Sequence, residues 1–296
     1  IVCLASLFWP DVIPGLIMAK RMKKTKSIAG FYLFAPNPFK GGCGTYHLRD
    51  WLRALAFYVN HLPAYFLIKK YADIIFVTNT LDKKKFINGK LNSERVIAVQ
   101  GGVDIETPHQ VPEPMKKRYE AVFIGRFHPQ KGVLQLVDIW REVCKIKEEY
   151  KLAMIGNGPL EREVKERIKK YSLQKNIELL GFKDGIEKIK IFKSARVVLH
   201  PAVYDSGGMA AGEAMACGLP GVSFDLSAFK VYYPRGMVKV PPGDLRAFAL
   251  AIIQLLQDKK FYKKIQKEAL VWAKEWSWDK RADEVLSKVM KVLKWN

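Results

Sequence analysis

The chain has 296 residues, 49% of them hydrophobic and 27% charged, enough apolar material for two domains of ordinary size and too much for a disordered or fibrous protein. Its 50 basic residues against 29 acidic ones give a net charge of +21. Up to Pro112 there are 15 basic and 7 acidic residues, and afterwards 35 and 22, so the charge is not confined to a tail. No nucleic-acid module is recognisable and the aromatic residues are not interleaved with a basic stripe, which argues against a nucleic-acid partner. Two explanations of the charge stay open. One is a plain lysine-rich surface; the other is attraction to an anionic membrane, at about 1 kcal/mol per well-placed Lys or Arg. Cys3, Cys43, Cys144 and Cys217 form no CxxC pair or metal spacing, so they read as reduced, buried thiols of a cytoplasmic protein. No signal peptide is expected, since the sequence opens directly on an apolar run, 1–8.

In chain order, that run reads as a strand, followed by strands at 28–34, 74–77 and 96–99 with a mixed helical region between the first two. The most apolar long stretch, 51–68, is interrupted by Arg53, Asn60, His61 and Pro63 and does not span a bilayer. It reads either as a helix pair against the core or as an interfacial surface. In the second case Trp51, Phe57, Tyr58, Tyr65 and Phe66 border Lys69 and Lys70. Val111-Pro112-Glu113-Pro114 with Lys116-Lys117-Arg118 is the best linker candidate. Beyond it, strands and helices alternate as in a parallel doubly wound sheet. Strands are predicted at 121–125, 152–155, 177–180, 197–200, 222–224 and 237–240, and helices at 133–147, 159–171, 187–193 and 208–217. Helices dominate from 245 to 292.

Two stretches carry candidate chemistry. In 200–223, HPAVYDSGGMAAGEAMACGLPGVS, Asp205 and Glu213 stand eight positions apart around Gly207-Gly208. A glycine pair lets backbone N–H groups approach a ligand, and the helix it opens presents a positive dipole end, which suits a diphosphate. Glu213, about a turn and a half into that helix, can take up hydroxyls attached to the diphosphate. Its neighbours Ala210, Ala211, Ala214, Met215 and Ala216 predict a buried helix, on which a carboxylate needs partners; the plainer alternative is a surface carboxylate. In 125–132, GRFHPQKG, Arg126 and Lys131 follow a strand. A guanidinium contacts two phosphate oxygens at once and a lysine adds a mobile point charge. The plainer alternative here is two solvated cations, and His128 between them reads as a solvated loop histidine.

These stretches resemble one family. The segment 200–223 is similar to the acidic-x7-acidic signature of retaining glycosyltransferases of family 4, which have the GT-B fold. Gly125-Arg126-Phe127-His128-Pro129-Gln130-Lys131-Gly132 matches the family's Gly-Arg…Lys-Gly loop, and Leu152-Ala153-Met154-Ile155-Gly156-Asn157-Gly158-Pro159 its next strand and Gly-x-Gly-Pro turn. Leu180-Gly181-Phe182 matches the loop that faces the nucleobase. All four occur in the family's order, from 121 to 258.

The resemblance implies an α/β protein of GT-B fold, with two Rossmann-like domains facing a central cleft and the N-terminal one abbreviated. Residues 1–112 would form the acceptor side, 113–275 the nucleotide-sugar side, and 276–296 a helix crossing back. It implies transfer of a hexosyl group from a UDP- or GDP-sugar to a glycan or lipid-linked acceptor with retained anomeric configuration. Arg126, Lys131 and Asp205 take the catalytic roles: the two cations stabilise the leaving diphosphate, whose oxygen receives the acceptor proton, and Asp205 contacts the donor sugar. Gly125, Gly156, Gly158, Leu180 and Phe182 line the donor site, Gly207, Gly208 and Met209 lend N–H groups to the phosphates, and Glu213 binds the ribose. No metal or other cofactor is implied, and a seat in the cytoplasm or on the inner membrane face is expected.

The sequence departs from the family in three places. Asp205 stands where Glu is commoner. The family's histidine after an N-terminal-domain strand is missing from Phe31-Tyr32-Leu33-Phe34-Ala35-Pro36, with His47 and His61 as unsupported substitutes. Gly41-Gly42-Cys43-Gly44 suits an acceptor-cleft loop or an ordinary turn. Trp9-Pro10-Asp11-Val12-Ile13-Pro14 resembles a segment well inside the family's first domain, so a fragment is expected. Two rival functions stay open: a non-catalytic nucleotide-sugar or partner-binding module, and a sugar-nucleotide epimerase on the same fold.

Overall fold

The computed structural model describes residues 1–4, 8–22, 25–35, 37–39, 51–87, 93–205 and 207–294. The candidates His47 and Gly41-Gly42-Cys43-Gly44 lie outside the described residues, as does Pro36. The chain divides into two compact units, Ile1–Gly101 with Asp279–Asn296, and Gly102–Trp278.

The first unit contains β1 (Val2–Leu4), α1 (Trp9–Arg21), β2 (Ser27–Phe31), α2 (Trp51–Tyr71), β3 (Ile74–Val77), α3 (Thr80–Ile87) and β4 (Val96–Ala98). Its described strands are parallel in the order β1-β2-β3-β4. Helix α1 starts with a proline in its first turn and buries Val12, Leu16 and Ala19, one stripe at helical spacing. Where a helix pair was expected, 51–71 is one helix running through Pro63. The apolar face is continuous across that proline: Ala54, His61, Ala64 and Ile68 are buried. Leu52, Val59 and Phe66 stay exposed, whereas Trp51, Phe57, Tyr58 and Tyr65 are partly covered. No described helix is long and apolar enough to cross a membrane.

The second unit follows with α4 (Thr107–Gln110), β5 (Tyr119–Ile124), α5 (Val133–Ile146), β6 (Leu152–Ile155), α6 (Glu161–Lys170), β7 (Ile177–Gly181), α7 (Gly185–Ser194) and β8 (Ala195–His200). It continues with α8 (Met209–Ala216), β9 (Gly221–Phe224), α9 (Ser227–Tyr232), β10 (Met237–Val240), α10 (Leu245–Gln257) and α11 (Lys259–Glu275). The described strands form one parallel sheet in the order β10-β9-β8-β5-β6-β7. Counted from β5, that is the 3-2-1-4-5-6 order of doubly wound sheets, whose switch point lies between β5 and β8. Both faces are covered, so the inner stretches of the strands are apolar: Ala121 and Phe123 point into one core with α5 and α10, and Tyr119 and Val122 into the other with α8, α9 and α11. Asp244 and Asp258 cap α10 and α11, accepting from Ala247 N and from Lys260 N and Phe261 N. The first unit is completed by the last helix, α12 (Trp278–Leu293), which from Asp279 on belongs to it and packs Val289 against Ile28, Ile74 and Ile97.

Three expectations change. Segment 111–118 lies inside the second unit, because Val111 is buried and its carbonyl accepts from buried Lys193 at 2.6 Å. Helix α9 was not foreseen. Cys3 is exposed and Cys144 and Cys217 are only partly covered, all three as free thiols: Cys3 lies on an edge strand, and Cys144 and Cys217 pack at the margins of the second unit's two cores.

Trp140 on α5 is fully buried, and its Nε1 has no hydrogen-bond partner among the described residues. Trp140→Ala is expected to lower the unfolding free energy by about 3–5 kcal/mol. Trp140→Phe should cost clearly less, since it leaves no orphaned partner behind. Urea unfolding of both variants checks the contrast.

Candidate active site

In a doubly wound sheet, ligands bind outside the carboxyl ends of the strands at the switch point. Here that edge holds the loops after β5 and β8, which contain both candidate stretches. The loop after β5 is stitched to its neighbour: Gly125 N–H donates to Ile155 O at 3.0 Å and Phe127 N–H to Asn157 O at 2.8 Å. Gly156 N–H in turn donates to Gly181 O at 2.8 Å. Pro129–Lys131 forms one 3-10 turn, ended by Gly132 with φ +65°. A Cβ on Gly132 would lie 2.0 Å from Pro201 O, so only glycine lets this loop rest on the segment after β8.

That contact brings Lys131 to Asp205. Nζ lies 2.5 Å from Oδ2, with 24% of the lysine side chain exposed and 5% of the aspartate. Gly207 N–H donates to Asp205 Oδ1 at 3.2 Å, so this N–H is already engaged. Burial opposes ionisation of Asp205, but the Lys131 charge and these hydrogen bonds override it and hold the carboxyl below its usual range. Behind the pair sits His200, wholly buried, its Nε2 3.8 Å from Asp205 Oδ2 and without a hydrogen-bond partner among the described residues. Its ring packs on Phe229 at 4.6 Å and near Tyr233 at 6.1 Å. A Cβ on Gly208 would come within 2.4 Å of His200 Nε2, so glycine is required for α8 to start this close. Burial pushes the His200 imidazole down to about 4, with Asp205 opposing and Lys131 reinforcing the shift.

Arg126 is exposed at the mouth of a cavity of about 310 Å³ lined by Ile124, Gly125, Arg126, Gly156, Phe182 and Lys183, among others. His128 is partly covered, and burial with the nearby Arg126 and Lys131 charges lowers its pKa. Gly158 starts the turn into α6, accepting from Glu161 N–H at 3.0 Å. Leu180 packs against the core on the α8 side, whereas Phe182 is 71% exposed. Met209 is the first residue of α8.

Glu213 is not buried as expected. Its side chain is 38% exposed, because the buried face of α8 is Ala211, Gly212, Ala214 and Met215. Its partner is Lys188 of α7, at 3.2 Å from Oε1 and 3.1 Å from Oε2. The buried Tyr233 hydroxyl accepts from Gly212 N–H at 3.2 Å, fixing the helix from below. Lys188, His200 and Tyr233 were not among the residues singled out from sequence. Only His200 left a signal, as the one polar residue closing the apolar run 197–200.

Residues 104–272 match the sequence profile of the family described as glycosyl transferases group 1. The chain is similar to poly(glycerol-phosphate) alpha-glucosyltransferase of Bacillus subtilis, at 24% identity over 224 residues, covering 70% of this chain and 32% of the relative. It is also similar to phosphatidyl-myo-inositol mannosyltransferase of Mycobacterium leprae, at 27% identity over 197 residues, 64% of this chain and 52% of the relative. The chain thus matches about a third to a half of the length of these relatives. A solved structure of Anabaena HepE in complex with UDP and glucose superposes with a TM-score of 0.76 at 15% identity, over 97% of this chain and 76% of that one. The chain belongs to the group 1 glycosyltransferases and has their GT-B fold.

The His200 environment predicts a pH dependence. Unfolded, the imidazole takes up its proton near 6.5; folded, near 4. Between those values the unfolded state binds more protons, so stability falls as pH falls, by an order of 3 kcal/mol in full. The charged or titratable groups facing it are Asp205, Lys131 and Tyr233. Denaturant unfolding between pH 7 and 4.5 should show wild type losing stability faster than His200→Gln. Parallel curves would exclude a buried neutral histidine.

Proposed function

We propose that this chain carries the donor site of a retaining family 4 glycosyltransferase, which moves a hexosyl group from a UDP- or GDP-sugar to a glycan or lipid-linked acceptor. The observation that carries the proposal is the Lys131–Asp205 pair at the switch point, beside exposed Arg126 and the start of α8. When a nucleotide sugar enters, its diphosphate competes with Asp205 for Lys131, and Arg126 offers a second cation. Asp205 is then released toward the hydroxyls of the sugar. As the sugar–oxygen bond breaks, the charge on the departing diphosphate is met by Lys131, Arg126 and the dipole of α8. The departing phosphate oxygen accepts the acceptor's proton, so transfer occurs on one face with configuration retained. No divalent ion is required, since these groups supply the positive charge. The cavity at Phe182 and Lys183 takes the nucleobase, and Glu213 the ribose.

The B. subtilis and M. leprae relatives are named for acceptors built on glycerol phosphate and phosphatidylinositol. That supports a glycan or lipid-linked acceptor here, in the cytoplasm or on the inner face of a membrane. Exposed apolar side chains on α1 (Trp9, Ile13, Ile17) and α2 (Leu52, Val59, Phe66), near Lys20, Arg21, Lys69 and Lys70, suit an anionic bilayer. The first unit, 1–101 with 279–296, would be the acceptor side and the second, 102–278, the donor side.

Asp205→Asn gives the decisive test, because it frees Lys131 while removing a sugar contact. The variant should bind UDP or GDP alone more tightly than wild type, yet transfer hexose about 100-fold more slowly. Calorimetry and product analysis of the anomeric configuration read the two effects. Weaker nucleoside-diphosphate binding in Asp205→Asn would remove the competition at Lys131. Release of free sugar and nucleotide without an acceptor would favour the epimerase, and tight binding without turnover a binding module.

A further inference from the structure

Lys188 stands outside every motif, yet it is among the best anchored cations of the second unit. Its side chain is only 15% exposed, and Nζ lies 2.9 Å from Asp184 Oδ1 as well as 3.1 and 3.2 Å from the two oxygens of Glu213. Asp184 precedes α7 and follows Phe182 and Lys183, which line the cavity at the end of β6 and β7. One ammonium therefore ties the cavity's lining loop to the carboxylate on α8. Burial alone lowers the pKa of this ammonium, but Asp184 and Glu213 reverse the effect and raise it, so the cation persists at neutral pH.

The geometry has a chemical consequence. A carboxylate offers about four lone-pair directions on two oxygens. A single ammonium that reaches both oxygens occupies one side of the group and fixes its plane, leaving the remaining lone pairs directed elsewhere. Two vicinal hydroxyls, as on ribose, are the kind of donor pair that such a fixed and half-occupied carboxylate accepts. Without the ammonium, Glu213 at 38% exposure would rotate among solvated rotamers and lose orientation before a ligand arrives. We infer that Lys188 is a positioning residue that presets Glu213 to recognise the 2′- and 3′-hydroxyls of the donor's ribose, and so sets selectivity for ribonucleotides over deoxyribonucleotides. The inference rests on the donor-site assignment above, since it presumes that a ribose meets Glu213.

The test compares, by calorimetry on the full chain, UDP and GDP with their 2′,3′-dideoxy counterparts, for wild type, Lys188→Met and Lys188→Arg. Wild type should prefer the ribonucleotide, and Lys188→Met should weaken ribonucleotide binding about tenfold while leaving the dideoxy compound unchanged. Lys188→Arg, which keeps a cation against both carboxylate oxygens, should recover most of the discrimination. In the Glu213→Gln background, Lys188→Met should have little further effect, because both act through one group. Should the methionine variant fail to fold, Lys188→Gln carries the same comparison. Equal loss for ribo- and dideoxynucleotides, or undiminished discrimination in the variant, would overturn the role of Lys188 and leave the donor site standing. If wild type binds neither nucleotide, or binds ribo- and dideoxy forms alike, the ribose assignment of Glu213 fails and Lys188 with it.

Discussion

Everything at the functional edge of the second unit depends on one short ion pair, Lys131 Nζ to Asp205 Oδ2 at 2.5 Å. It joins loops 74 residues apart across the switch point of the sheet. Such a pair is a poor source of net stability, because taking both charges from water costs about as much as their attraction returns. Removing one partner is another matter, since it strands a charge that is almost wholly covered, as Asp205 is. A site built on this pair is therefore neutral at its centre when empty, and it exposes a strong cation only when a competing anion arrives. A diphosphate brings more negative charge than one carboxylate, so the exchange has a direction.

The rest of the unit holds this exchange in place. The order of the sheet puts the ends of β5 and β8 side by side. Gly132 and Gly208 remove the two side-chain carbons that would otherwise push the loops apart. Beneath α8 lies an aromatic floor of Phe229, Tyr232, Tyr233, Trp272 and Trp276, with ring centroids between 4.2 and 6.5 Å apart along the chain of contacts. Tyr233 carries a polar link upward, to Gly212. His200 fills the space between this floor and Asp205 with a ring that burial keeps neutral. The acid side of the site is thus backed by an uncharged wall, and the carboxylate faces its lysine.

Sequence revealed the second unit well because strands covered on both faces are unbroken apolar runs. Val197-Val198-Leu199 or Leu152-Ala153-Met154-Ile155 leaves little choice of boundary. The glycine-bearing motifs were legible for a related reason, since backbone needs at those positions admit few residues. The linker was misplaced because an exposed, proline-marked turn such as 112–118 runs over the surface of one unit as readily as between two; Val111 beside it is buried and its carbonyl accepts from Lys193, 82 residues away. Glu213 was misjudged because small neighbours show that a helix packs closely somewhere, not which face does so. The pairings that give the site its chemistry, Lys131 with Asp205 and Lys188 with Glu213, join distant loops and helices. No local pattern encodes them, and only the sheet order makes them neighbours.

The most direct measurement is a crystal structure of the chain soaked with UDP- and GDP-hexoses. The diphosphate should lie with phosphate oxygens within about 3 Å of Lys131 Nζ, Arg126 should reach the same group, and Asp205 should have turned from Lys131 to the sugar. A nucleotide bound elsewhere, with the Lys131–Asp205 pair intact, would contradict the account at its centre.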